Sequence, residues 1–237
     1  MIKELKQLLP GALPRKILVD FEQAPINAFR AGYPLADILG CYFHLNESVN
    51  RKINDLGLKE MYESNDDFRL YSRCLSALAY VPEDDVGNSF DTLAEIFGEL
   101  NGSSELISYF EKTYIRGRRN PRQRNNFAAP LYNVRLWNKH NSTLVGVART
   151  TNCVEGWHYG IQSLYQCSHP TLWKFLDGIQ KDMQKHKALY LQVVMGTTPY
   201  LSKKYEDIKR RIQICVSNYG LSDSLIYLKA ISHISCN

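Results

Sequence analysis

No apolar run in the 237 residues approaches the roughly 20 needed to span a bilayer. The opening MIKELKQLLPGALPRK has too short and interrupted an apolar stretch for a secretory signal. These absences predict a soluble intracellular protein without a membrane partner. Closely spaced cysteine pairs are missing as well. Cys41, Cys74, Cys153, Cys167, Cys215 and Cys236 are scattered, which argues against a small disulfide scaffold and for free thiols in a reducing compartment. There is no internal repeat, no low-complexity segment and no linker that would split the chain. With 44% hydrophobic residues it can bury one sizeable core, or a core plus an inserted subdomain.

Acidic residues are absent from one stretch in particular. KTYIRGRRNPRQR, residues 112 to 124, carries six basic side chains and no Asp or Glu, so the net charge of +5 resides in this segment. Lys112, Arg116, Arg118, Arg119, Arg122 and Arg124 could neutralise several DNA phosphates and make binding steeply salt-dependent. The same charges could equally form a solvated loop that keeps the protein soluble.

Along the chain, RKILV ending at Asp20 reads as a buried parallel strand, FEQAPINAFRAGY as a helix and ADILGCYF as a second strand. Strand, helix, strand is an α/β signature, and ligands gather at the carboxyl ends of such strands, where Asp20 falls. From His44 to about Ile115 the pattern turns helical: HLNESVNRKINDLG, DDFRLYSRCLSALAYV, PEDDVGNSFDTLAEIFGEL and SSELISYFEKTYI. Leu70, Cys74, Leu75, Leu78 and Ala79 form an apolar stripe expected in the core. AAPLYNVRLWNKHNST follows the basic loop as a Pro- and Asn-containing stretch. Three helices are expected at the end, in HPTLWKFLDGIQKDMQKHKALYLQVVM, SKKYEDIKRRIQICVSNY and DSLIYLKAISHI.

RTTNCVEGWHYG, residues 149 to 160, raises a separate question. Asn152 and Glu155 have capping-box spacing, and a helix continuing from there would put Glu155, His158, Tyr159 and Gln162 on one face. A glutamate fixed in a first helical turn can also hold a metal. Cys41 and His44 have C-x-x-H spacing, but structural zinc wants four ligands, and Cys153 with His158 would be an irregular second pair. A structural zinc is therefore not expected.

Taken in order, DFEQAPINAFRAGYPLADILGCYFHLNESVNRKI, FRLYSRCLSALAYVPEDDV, YFEKTYIRGRR leading to APLYNVRLWN, RTTNCVEGWH and HPTLWKFL resemble the Mutator-like element (MULE) transposase domain in its animal-genome form. The resemblance runs from about Ile17 to the closing YLKAISHI. It implies an α/β fold, a partial RNase H-like core of the DDE transposases, interrupted by a large helical insertion and predominantly helical overall. One domain over 1–237 is implied: 1–44 with the retained sheet strands and helix, 45–148 with the helical insertion and basic loop, and 149–237 with the Glu-bearing helix and C-terminal helices.

The same resemblance implies a site in which two Asp and one Glu hold Mg²⁺ or Mn²⁺ for phosphodiester cleavage and strand transfer. Asp20 would be the second aspartate, Glu155 the closing glutamate, and Cys41 and His44 the family's C-x-x-H. DNA would be the partner, with an oligomer or a full-length transposase as a further one, and the nucleus the location. Two departures matter. Only 19 residues precede Asp20, their sole acid is Glu4, and no candidate strand carries the first aspartate. Thr151 also stands where the family commonly has the first of two asparagines. The expectation is a truncated, catalytically incomplete transposase domain. The alternatives are a non-catalytic DNA-binding protein, or a helical interaction module using Trp137, Trp157 and Trp173, residues that could equally be core.

Overall fold

The computed structural model describes residues 2–11, 13–117, 127–146, 152–197 and 203–235, with the side chains of 152–155 left outside the description. The chain divides into two compact units, one of Met1–Thr150 with Ile208–Asn237 and one of Thr151–Asp207.

The first unit is predominantly helical, with one small parallel sheet. After α1 (Ile2–Leu8), the apolar run KILV forms β1 (Lys16–Val19), α2 covers Gln23–Gly32, and β2 (Asp37–Gly40) pairs with β1 in the register Lys16 to Asp37 through Val19 to Gly40. Among the described strands β1 is bonded to β2 alone. Gly40 is required by close approach: a Cβ there would run into the Phe21 ring and sit 3.3 Å from the Leu136 carbonyl oxygen.

The second strand is shorter than ADILGCYF suggests. Cys41 is the last extended residue, and Tyr42 already opens α3 (Tyr42–Asp55). Tyr42, Leu45, Val49 and Ile53 share one helical face, and burying that stripe prevails over the β-propensity of Tyr42 and Phe43.

The helical block follows as α4 (Lys59–Ser64), α5 (Asp66–Ala77), α6 (Val86–Phe97) and α7 (Ser103–Phe110), the last running into a wider π-type turn over Glu111–Ile115. Asn65 caps α5 by accepting from the Phe68 amide at 2.9 Å. Cys74, Leu75, Leu78 and Ala79 are fully buried as expected, whereas Leu70 is only partly covered. AAPLYNVRLWNKHNST contains two short helices, α8 (Val134–Trp137) and α9 (His140–Leu144). Asn133 accepts from the Arg135 amide, and Asn138 both accepts from the His140 amide and donates to the Val81 carbonyl. In this stretch asparagine is structural: its side chains replace missing backbone partners.

In the second unit, α10 (Asn152–Tyr165) packs on α11 (Leu172–Val194). Tyr165 stacks on Phe175 at 5.8 Å and covers Gly178, where a Cβ would collide with its ring. α12 (Lys203–Ser217) and α13 (Ser224–Ser235) end the chain. Ile212 and Val216 of α12 join the first unit's core, and α13 lies against α5. No helix among the described residues is long and apolar enough to cross a membrane.

Candidate functional site

Asp20 follows β1 directly, and its position is set by the next residue. The Phe21 carbonyl accepts from the Tyr132 hydroxyl at 2.6 Å, and the Phe21 ring meets Tyr132 and Tyr114 edge-on at 5.1 and 5.7 Å. Tyr114 is hydrogen-bonded through its hydroxyl to Ser48 at 2.7 Å, and burial pushes its pKa up. A rigid aromatic cluster thus anchors the strand end.

Facing it, the first turn of α3 presents His44, whose Nδ1 lies 2.9 Å from Asp20 Oδ1. The two side chains are 25% and 50% exposed, so solvent reaches the carboxylate. The approach is one of charge and proximity rather than an aligned hydrogen bond, and it becomes an ion pair when the imidazole is protonated. Cys41, three residues earlier, is fully buried at the N-cap of α3.

Near Cys41 lies a residue without any sequence signal. Lys139 is 1% exposed, its Nζ has no hydrogen-bond partner among the described residues, and burial pushes its pKa down to about 8, an effect partly opposed by Cys41. Nothing in NKH marks this lysine as buried, because its cover comes from elements distant in sequence.

Of the remaining candidates, Glu155 and Asn152 sit in the first turn of α10, with side chains outside the described residues. Asp20 and Glu155 belong to different compact units. His158 is exposed on α10, its ring 5.1 Å from that of Trp157. Among the described residues no three His, Cys, Asp or Glu side chains converge to hold a metal.

In the basic segment, Lys112 is exposed. Arg116 is held in ion pairs by Asp91 and Glu111 and lies over the rings of Phe90 and Phe127. Arg118, Arg119, Arg122 and Arg124 lie outside the described residues. A cleft of about 1160 Å³ runs beside β2, α8 and α9, but Lys16, Arg30 and Arg135 are interspersed there with Asp37, Glu83 and Asp84. Such mixed charge does not suit a phosphate backbone.

Comparison with protein families, with curated proteins and with solved structures finds no match to this chain. What the structure defines is a mainly helical protein of two compact units with a parallel β-α-β element.

Proposed function

We propose that this chain is a DNA-binding protein of DDE-transposase ancestry, with a partial RNase H-like core, that is catalytically incomplete. The observation that supports this best is the meeting of Asp20 with His44. These residues come from two separate motifs of the MULE resemblance, VDFE and C-x-x-H, and a strand end and a helix start bring them to 2.9 Å. The parallel β1-α2-β2 element, with Asp20 at its carboxyl end, agrees with that ancestry.

Two-metal chemistry needs several oxygen ligands converging on hard cations. The described donor set does not fit them: one half-exposed carboxylate has an imidazole against one of its oxygens. Mg²⁺ and Mn²⁺ therefore enter no step of the proposal. Binding falls to the basic segment, with Lys112, Arg118, Arg119, Arg122 and Arg124 on the phosphates of duplex DNA and Arg116 held by its two carboxylates. The nucleus and an association with a further transposase chain follow from this reading.

Fluorescence anisotropy with a duplex oligonucleotide across a salt series tests it. Replacing those five cations together by glutamine is expected to weaken binding and flatten the salt slope by several contacts, at about −0.9 per phosphate. Unchanged affinity would sink the assignment. Incubation with supercoiled plasmid and Mg²⁺ or Mn²⁺ is expected to give no nicking. Nicking that disappears in Asp20→Asn or Glu155→Gln would restore an active site.

A further inference from the structure

Within the first unit, α3, α4, α5 and α13 border a pocket of about 280 Å³, close to the lower end of the size range of small-molecule sites. Among the described residues its lining holds no acid and one cation, Arg73, whose Nε donates to the Tyr62 hydroxyl at 3.0 Å and whose guanidinium lies over the Tyr62 ring. Asn46 and Asn50, one turn apart on α3, bring two planar amides to the lining, and neither is hydrogen-bonded to another group among the described residues. Phe43, a turn before Asn46, adds a ring that is 37% exposed. Ser72 of α5 lines the pocket as well. It is 1% exposed and its hydroxyl has no partner among the described residues, so hydration does not account for it as it does for the more open amides.

This lining discriminates between ligands. Sugar hydroxyls donate as well as accept and pair best with carboxylates, which the described lining lacks. A phosphate monoester carries nearly two negative charges against one guanidinium that is already engaged through Nε. A carboxylate only accepts, so it leaves the amide oxygens of Asn46 and Asn50 unpaired. An amide offers a donor and an acceptor side by side, and these match the adjacent acceptor and donor on the edge of a purine such as adenine. Flat heteroaromatic rings also stack on side chains such as Phe43.

We propose that this pocket binds a purine base, with Asn46 and Asn50 reading its donor–acceptor edge, Phe43 covering one ring face and the Ser72 hydroxyl gaining a partner from the base. The inference does not rest on the transposase reading and uses none of the residues assigned to that site.

Titration calorimetry of the full chain with adenine is expected to show saturable binding at a single site. The double substitution Asn46→Leu with Asn50→Leu keeps side-chain volume and removes the polar edge. It should weaken binding by about tenfold or more, the worth of a bidentate amide–base pair, with unchanged helical circular dichroism. Ser72→Ala should weaken binding severalfold while the melting temperature of the ligand-free protein stays level or rises, because the fold leaves that hydroxyl unsatisfied. Absence of saturable adenine binding overturns the proposal, as does adenine binding that the asparagine double variant leaves intact. Binding of glucose or benzoate in preference to adenine would assign the pocket to a sugar or to a carboxylate and overturn it too.

Discussion

The hydroxyl of Tyr227 donates to the backbone carbonyl of Tyr80 at 2.6 Å, a buried bond that ties α13 to the end of the α5 segment across 147 residues. Because Tyr227 is only 3% exposed, water cannot replace the lost donor. Tyr227→Phe is expected to cost about 1–2 kcal/mol, read as a lower urea midpoint with an unchanged slope. No shift in midpoint would mean that this bond contributes nothing net.

Lys139 makes stability depend on pH. Its folded pKa, about 8, lies below the ordinary lysine value, so between about 8 and 10.4 the unfolded chain binds more protons than the folded one. Stability therefore rises with pH across that window, and the cost of burying the charged amine is present in full below it. Above about 10 the buried Tyr114 and Tyr227, whose pKa values burial raises, act in the opposite direction. Lys139→Met should remove most of the rise between pH 8 and 10 and stabilise the protein at pH 7 by an amount on the order of 2–3 kcal/mol. Thermal melts at pH 7 and 9 check this, and a variant less stable at pH 7 contradicts it.

Two glycines of the α10–α11 hairpin should respond oppositely to alanine. Helix propensity favours alanine by about 1 kcal/mol at both. At Gly160 nothing among the described residues lies within 4 Å of an added Cβ, so that gain should appear. At Gly178 the methyl collides with the ring of Tyr165, whose hydroxyl donates to the Phe175 carbonyl at 3.2 Å. Overpacking costs about 1–3 kcal/mol and outweighs propensity there. Differential melting of the two variants reads the sign directly.

Arg116 serves the fold before it can serve a ligand. Its guanidinium bridges Asp91 on α6 and Glu111 just past α7 and is about 30% exposed. Arg116→Gln is expected to lower stability by about 1 kcal/mol, as loss of a partly buried ion-pair network should. The salt slope of DNA binding should stay where it was. A reduced slope in this single variant would assign Arg116 to phosphate instead.

Several elements were legible because their signal is local. RKILV carries β1, and a 3.6-residue period carries α3, α5, α6, α11 and α13. The limit of β2 was not legible, because Tyr42 and Phe43 suit a strand as well as a helix, and only the core facing Leu45 and Val49 decides between them. Helices α8 and α9 were hidden for another reason: each is about one turn long, too short for periodicity to register, with Asn133 capping α8 and the Asn138 side chain accepting from the His140 amide where α9 starts. The basic segment was readable as charge, but the capture of Arg116 by Asp91, 25 positions earlier, was not.

Local chemistry determined the helical character, the parallel β-α-β start and the lack of a membrane-spanning helix among the described residues. Each of these follows from a repeat or a composition that the chain carries within a few turns. Tertiary structure alone decided that Trp137 is fully buried, donating to the Tyr114 carbonyl at 3.1 Å, while Trp173 stands in solvent. It also decided that Lys139 is buried beside Cys41 and that His44 turns toward Asp20. Burial and pairing are set by neighbours that arrive from distant parts of the chain, and no local pattern encodes which neighbours those are.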